Sequence, residues 1–180
     1  RAFFVVRLGG GAGARSSKDG CKKCPSGKYN DVEGVDDIDY CKKCDAGTWS
    51  DMQGATKDSQ CKNCEAGRYN ENRGARSVDA CTKCAQGKFA ASVGAENSSR
   101  CESCPLGFSQ YARGAAFCLP CNPGLFQNLT GRSRCVPCRV GTASRNVSRT
   151  IPCGSCFPGY AQPKHGQVSC ADCSPGRYQG

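Results

Sequence analysis

The sequence predicts an elongated rod of small disulfide-rich tandem repeats, made of short β-hairpins and irregular loops with little helix. Three observations lead to this fold class. All 18 cysteines fall in nine Cys-x-x-Cys pairs, the pairs return every 17 to 20 residues, and the 180 residues include one methionine and one tryptophan. A short fixed period is the signature of a repeat architecture, in which units pack against their neighbours.

Each repeat follows one pattern, which predicts a hairpin. It reads Cys-x-x-Cys-x-x-Gly-x-aromatic-x4-Gly, and its clearest copy, residues 21–41, is CKKCPSGKYNDVEGVDDIDYC. The first glycine is present in all nine repeats and the second in seven of the eight complete ones; the repeat that begins at Cys135 lacks it. Because glycine tolerates backbone angles that side chains disfavour, we expect tight turns between a two- to four-residue strand and a short return strand.

Cross-links must replace a hydrophobic core. A repeat of 17 to 20 residues with one aromatic side chain cannot offset a backbone entropy cost of roughly 1–2 kcal/mol per residue. Cysteine at this density is typical of secreted scaffolds held by disulfides. N-glycosylation sequons at Asn97, Asn128 and Asn146 agree with a secretory route, so we expect an extracellular or cell-surface location.

The pairing of the cysteines follows from the loops, since the two cysteines that flank a loop are the natural pair to close it. This rule gives Cys24-Cys41, Cys44-Cys61, Cys64-Cys81, Cys84-Cys101, Cys104-Cys118, Cys121-Cys135, Cys138-Cys153 and Cys156-Cys170. It leaves Cys21 and Cys173, which we expect to pair outside residues 1–180. A rival scheme joins Cys21 to Cys41 and Cys24 to Cys44, and sequence alone does not choose between the two.

Three segments are predicted along the chain. Residues 1–20 are interpreted as the tail of a preceding repeat or a linker. Residues 21–100 hold four repeats of period 20, and residues 101–180 hold repeats of period 17–18 that are richer in proline, with the last one truncated. No apolar run approaches the roughly 20 residues that span a bilayer.

Basic residues return inside the Cys-x-x-Cys pairs and contribute to the net charge of +10. The recurring ones are Lys22-Lys23, Lys42-Lys43, Lys62 and Lys83. If the units stack by translation, these residues form a stripe that favours anionic partners such as acidic or sulfated polysaccharide, although an ordinary solubilising surface fits equally well. Nucleic acid is not an expected partner.

The repeat pattern resembles the ephrin-receptor-like cysteine-rich repeat of the GCC2/GCC3 type, and it is similar to the first half-module of tumour-necrosis-factor-receptor cysteine-rich domains. The resemblance covers residues 21–180. It implies extracellular disulfide-linked rods, and it also implies that each second cysteine pairs with the next repeat's first, as in Cys24-Cys41. The chain departs from the pattern at Ala143 and Ala161, which occupy the aromatic position, and in the repeat from Cys135, where the resemblance does not fix the hairpin geometry.

Metal and catalytic alternatives are less favoured. The spacing between Cys21 and Cys44 fits a four-thiolate zinc site, but nine pairs leave a remainder when divided into such sites. His165 is the only histidine, so we expect no catalytic residue, no cofactor and no enzyme activity. A calcium site is a further alternative, although a solvated hairpin tip is preferred; its candidate ligands are Asp31, Glu33, Asp36, Asp37 and Asp39.

The aromatic residues admit two interpretations: a ladder for stacking sugars, or packing on the disulfide of a neighbouring unit, which we favour. The residues concerned are Tyr29, Trp49, Tyr69 and Phe89. The function we expect is a structural, rod-like segment of a large extracellular glycoprotein that assembles with other protein chains. A ligand-binding receptor or adhesion ectodomain is the alternative, and an intracellular zinc-binding array is the third class.

Overall fold

The computed structural model describes residues 21–35 and 37–177, so the predicted segment 1–20 lies outside the described residues. The described chain is a succession of eight disulfide-closed units, each with one two-stranded antiparallel hairpin. Within it there is no α-helix, and four three-residue 3-10 helices are the only helical turns. The predicted fold class of small disulfide-rich tandem repeats is confirmed.

Each hairpin pairs the strand that follows a first glycine with the two residues inside the next Cys-x-x-Cys pair. The paired strands are Lys28–Tyr29 with Lys42–Lys43, Thr48–Trp49 with Lys62–Asn63, Arg68–Tyr69 with Thr82–Lys83, Lys88–Phe89 with Glu102–Ser103, Phe108–Ser109 with Leu119–Pro120, Leu125–Phe126 with Val136–Pro137, Thr142–Ala143 with Gly154–Ser155, and Tyr160–Ala161 with Ala171–Asp172. Isolated hairpins of this size are marginal in water, so their order must come from cross-links and neighbours.

Disulfides close the hairpins with Cα atoms 5.5 to 5.8 Å apart. In chain order, units 1 to 8 are closed by Cys24–Cys41, Cys44–Cys61, Cys64–Cys81, Cys84–Cys101, Cys104–Cys118, Cys121–Cys135, Cys138–Cys153 and Cys156–Cys170. These are the pairs that the flanking rule gives, and the rival bonds do not form. Cys21 and Cys173 are unpaired in the structure. A loop of this length contributes on the order of 3 kcal/mol in the chain-entropy account of disulfides.

Neighbouring units are joined by backbone hydrogen bonds that repeat at every junction. At the first junction the Gly27 N–H donates to the Ser50 carbonyl, the Gly54 N–H donates to the Cys24 carbonyl, each at 2.8 Å, and a third bond links the two loops. The equivalent three bonds recur at all seven junctions, with lengths between 2.7 and 3.3 Å. Because main-chain groups hold the junctions, side chains can vary from unit to unit.

The first glycine of a unit also touches the unit after next. At Gly67 φ is 83°, and a Cβ there would overlap the carbonyl group of Gly114. In unit 7, which lacks the second glycine, Ser148 takes its place with φ 54° and still donates the junction bond to Cys121 at 2.8 Å. The hairpin geometry that the sequence left open is therefore kept, with one non-glycine residue in the left-handed region.

In units 1 to 7 the buried core contains at least one half-cystine, joined in several units by small side chains. Cys44, Cys64 and Cys104 have no exposed surface, Ala55 and Ala90 are buried, and Ala90 clusters with Cys84 and Cys101. Tyr69 packs against the cluster of Cys84, Ala90 and Cys101, which contains the next unit's disulfide. The predicted packing of an aromatic ring on a neighbouring disulfide is confirmed at Tyr69.

A column of polar side chains, which the sequence did not reveal, lies three residues after the first glycine in every unit except unit 4, where Ala90 holds the position. The fully or nearly buried members are Ser50, Asn70, Gln110, Gln127 and Ser144. In unit 5 the Gln110 Nε2 donates to the Phe117 carbonyl at 2.8 Å, and its Oε1 accepts from the Ala112 N–H at 2.9 Å. A buried polar group is tolerated only when it is bonded, and here the amide closes the loop from inside.

The change of period near Cys101 coincides with a change in the segment just before the closing cysteine, which is a 3-10 helix in units 1 to 4 and is held by a side-chain hydrogen bond in units 5 to 8. In units 1 to 4 the paired cysteines are 17 residues apart, and a 3-10 helix precedes the closing cysteine: Ile38–Tyr40, Asp58–Gln60, Val78–Ala80 and Ser98–Arg100. In units 5, 6 and 8 the separation is 14 and no such helix forms. Instead, Gln110, Gln127 and Gln162 each donate to the carbonyl just before the closing cysteine. In unit 7 Arg149 does so, to Pro152.

Replacing Gln110 with alanine should destabilise unit 5 by about 1–3 kcal/mol, because the two hydrogen bonds that its buried amide makes, to the Phe117 carbonyl and the Ala112 N–H, are lost. Hydrogen–deuterium exchange should rise across residues 104–121. The matched control is Gln53→Ala, since Gln53 is exposed and should be neutral. Equal exchange in the two variants would show that the buried amide does not hold the loop.

Replacing Gly67 with alanine should loosen units 3 to 5 together. The left-handed backbone costs a non-glycine residue roughly 1–2 kcal/mol, and the added methyl group also meets the Gly114 carbonyl. Gly159→Ala is the matched control, because φ there is 85° and the space around the added Cβ is open. Exchange should increase over residues 64–118 in the first variant and stay local in the second. The same extent of loosening in both would contradict a close contact between units 3 and 5.

Candidate functional site

One face of each hairpin carries three side chains at equivalent positions, which we call the hairpin triad. The triad consists of the residue two after the first glycine, the residue four after it, and the cross-strand partner of the first. From unit 1 to unit 8 the triads are Tyr29/Asp31/Lys42, Trp49/Asp51/Lys62, Tyr69/Glu71/Thr82, Phe89/Ala91/Glu102, Ser109/Tyr111/Leu119, Phe126/Asn128/Val136, Ala143/Arg145/Gly154 and Ala161/Pro163/Ala171. Residues two apart on an extended chain lie on the same face, which brings the three positions together.

In units 1 and 2 an ion pair covers the aromatic ring of the triad. The Lys42 Nζ lies 6.0 Å from the centre of the Tyr29 ring and 2.8 Å from Asp31 Oδ1. In unit 2, Lys62 and Asp51 form the same pair at 3.0 Å, and the Lys62 Nζ lies 4.6 Å from the Trp49 ring centre. These exposed pairs contribute little to stability because solvent screens them. They do hold the lysine ammonium groups over the Tyr29 and Trp49 rings.

The ion pairs shift the pKa values of Asp31, Lys42 and Asp51. The hydrogen bond from Lys42 lowers the pKa of Asp31, and the same bond raises the pKa of Lys42. The hydrogen bond from Lys62 lowers the pKa of Asp51 in the same way. Both carboxylates are therefore ionised at neutral pH, and two of the basic residues predicted to form a free stripe are already paired with acids.

Three of the four other basic residues of the predicted stripe have a different role, and the fourth, Lys22, is exposed. The side-chain stems of Lys23, Lys43 and Lys83 lie under the second glycines of later units, where a Cβ on Gly54 or Gly74 would come within 3.2 Å of a lysine Cγ. These five lysines thus fill two roles: Lys42 and Lys62 cover a ring, and the other three pack beneath a junction. A lysine stem packs well on such a surface while its charged head stays in water.

In units 5 and 6 the triads border open clefts in place of ion pairs. The first cleft, of about 500 Å³, is lined by Tyr111, Leu119, Leu125 and Arg134 among others. The second, of about 390 Å³, is lined by the equivalent positions one unit further along, including Phe126 and Val136. The residues just before the closing cysteine border both clefts, at the place where units 1 to 4 carry a 3-10 helix.

The three predicted glycosylation residues Asn97, Asn128 and Asn146 are all exposed and lie in units 4, 6 and 7. Asn97 caps the 3-10 helix Ser98–Arg100 by accepting from the Ser99 N–H at 3.1 Å. Asn128 is a triad residue and lines the second cleft. Their modification remains a prediction.

The residues considered for a metal site or for catalysis lie at the following positions in the structure. The four-thiolate arrangement between Cys21 and Cys44 does not form, because Cys24 and Cys44 are in disulfides. Within the described residues, no group of three or more potential ligands is arranged to hold a metal ion. Asp37 caps Ile38–Tyr40, and Asp36 lies outside the described residues. His165 is an exposed loop residue whose carbonyl accepts from Gln167.

Comparisons with protein-family models and with curated proteins identify no relative of this chain. The chain matches no protein-family model, and it has no significant match among curated proteins. No helix within residues 21–35 and 37–177 has the length and apolar composition that crossing a bilayer requires.

Replacing Lys42 with alanine should raise the pKa of Asp31 towards the ordinary aspartate value of about 3.9, because its hydrogen-bond donor is lost. The folded-state pKa of Asp31 lies below the unfolded one. The stabilisation from this pair is therefore present above the unfolded pKa and is lost as the pH falls through the folded one. Carbon-detected NMR titration measures this, and Asp51 in the same protein is the control. An unchanged Asp31 titration would contradict the pairing.

Proposed function

We propose that this chain is a structural, rod-like segment of a large extracellular glycoprotein, as in a cell-surface filament, hair, spacer or matrix component. The observation that supports this most is the repeated junction. Three backbone hydrogen bonds join consecutive units at each of seven junctions, and every unit is closed by a disulfide. Such a stack adds length in nearly equal steps, and its covalent loops resist stretching and proteolysis.

The extracellular setting is supported by the state of the cysteines. Sixteen of the 18 form disulfides, which persist in oxidising compartments and are rare in the cytosol. Three exposed sequons agree with passage through a secretory route. We also propose that the repeats are of the ephrin-receptor-like type, since the second-to-first pairing that this resemblance implies is the pairing present.

The alternative is a receptor or adhesion ectodomain, and one observation favours it. Units 5 to 8 expose large apolar side chains, among them Tyr111, Phe117, Ile151 and Phe157, which are 61 to 78% exposed. Apolar side chains that form a contiguous patch mark interaction sites, and Tyr111 lines one cleft together with Leu119 and Leu125. Such a patch serves equally for lateral contacts between rods in an assembly, and partners are then other protein chains of that assembly. Anionic polysaccharide is less favoured, because Lys42 and Lys62 are already paired with aspartates.

Immunogold electron microscopy of the native protein separates the two roles. Antibodies raised against the folded chain should label extracellular filaments or matrix at regular spacing. Label confined to the plasma membrane would favour the receptor, and label inside the cytosol would overturn both. A cytosolic protein known to be disulfide-free serves as the control for permeabilisation.

Small-angle X-ray scattering of the secreted 180-residue chain should show a rod. A compact domain of this length has a radius of gyration of about 16 Å, whereas a stack of eight units should give a clearly larger value and the scattering profile of a thin cylinder. The reduced and alkylated chain is the control for an expanded, unstacked form. A radius near the compact value would contradict the proposed role as a spacer.

A further inference from the structure

Unit 6 carries a glycosylation sequon directly on its hairpin triad. Phe126 and Val136 are cross-strand partners in the register, and Asn128 follows Phe126 by two residues. All three line the same open cleft of about 390 Å³. Directly opposed side chains in a hairpin have Cβ atoms about 4.5–5.5 Å apart, so Phe126 and Val136 form one apolar platform beside the asparagine.

In units 1 and 2 the aromatic ring at the position equivalent to Phe126 is covered by a lysine–aspartate ion pair. In unit 1 the position of Asn128 is held by Asp31 and that of Val136 by Lys42, and their ion pair lies over the Tyr29 ring. In unit 6 the same positions carry an amide and an aliphatic side chain, which form no ion pair. Val136 is left 40% exposed and Phe126 half-buried.

We propose that the first N-acetylglucosamine of a glycan on Asn128 packs on Phe126 and Val136, taking the place that the lysine–aspartate pair has in units 1 and 2. The proposal rests on the proposed extracellular function, since such a glycan requires a secretory route. A sugar ring has one face of C–H groups that suits the electron-rich face of an aromatic ring. The cleft volume lies within the range of small-molecule sites.

The covalent step uses a lipid-diphosphate-linked oligosaccharide as donor. The Asn128 Nδ2 forms a bond to the sugar C1, the bond from C1 to the diphosphate oxygen breaks, the lipid diphosphate leaves, and Nδ2 loses one proton. The sequon Asn128-Leu129-Thr130 supplies the acceptor. No redox change is involved.

The other two sequons lack this platform. Two residues before Asn97 stands Ala95, which is buried, and the Asn97 Oδ1 accepts from the Ser99 hydroxyl at 2.5 Å. Two residues before Asn146 stands Ser144, which is also buried. Of the three predicted sites, Asn128 is therefore the one whose sugar would lie against an aromatic ring.

The test is NMR on the 180-residue chain secreted from a glycosylating eukaryotic host, with each glycan trimmed to one N-acetylglucosamine. The sugar protons on Asn128 should be shifted upfield by the ring current and should show nuclear Overhauser contacts to the Phe126 ring. The sugar on Asn97 is the internal control and should show neither. Phe126→Ser should abolish both effects; serine is the native residue at this position in unit 5, Ser109. If that variant misfolds, the comparison of the Asn128 and Asn97 sugars in the wild-type spectrum is sufficient to test the proposal.

The other outcomes overturn the proposal and separate its failure from that of the proposed function. A sugar on Asn128 with the same shifts as that on Asn97 shows a glycan that does not pack. If Asn97 and Asn146 carry glycans and Asn128 does not, the proposed sugar contact at Asn128 is wrong, whereas the proposed extracellular function is unaffected. Bare asparagines at all three sequons in a glycosylating host would count against both.

Discussion

The disulfide between the second cysteine of one pair and the first cysteine of the next is the constraint on which the rest of the structure depends. It holds a loop whose buried residues are half-cystine, alanine and polar side chains such as Ser50, Asn70 and Gln110, a set that cannot form a hydrophobic core alone. By fixing the hairpin, it orients the N–H of the first glycine and the carbonyl of the second cysteine towards the neighbouring units. Each unit thus presents the same donors and acceptors, and the stack continues by repetition.

Because backbone groups, and not side chains, join the units, the units can vary in sequence. Main-chain groups carry the junctions and glycine allows the close approach to the unit after next, so the hairpin triad is free to change. In units 1 and 2 the triad carries an ion pair over a ring, whereas in units 5 and 6 it borders an open cleft. One scaffold therefore presents ion-paired triads in units 1 and 2 and clefts with partly apolar linings in units 5 and 6.

The sequence predicted the repeat, the hairpins and the pairing because cysteine and glycine have strong, position-specific conformational demands. It did not predict the junctions, because backbone hydrogen bonds leave no side-chain signature. The buried column at Asn70 or Gln110 went unnoticed because serine, asparagine and glutamine look like surface residues, although a polar residue three after the first glycine in seven of the eight units was a usable signal. The basic stripe was predicted from spacing alone, and spacing did not reveal that Asp31 and Asp51 pair with two of its lysines.

Non-reducing peptide mapping of natively purified protein, with free thiols alkylated before digestion, tests the central claim most directly. The account predicts cross-linked peptides that each contain a second and a next first cysteine, as in Cys44–Cys61 and Cys104–Cys118. Uniformly alkylated cysteines, or links within single Cys-x-x-Cys pairs, would contradict it, because the hairpins would then lack the bond that closes them.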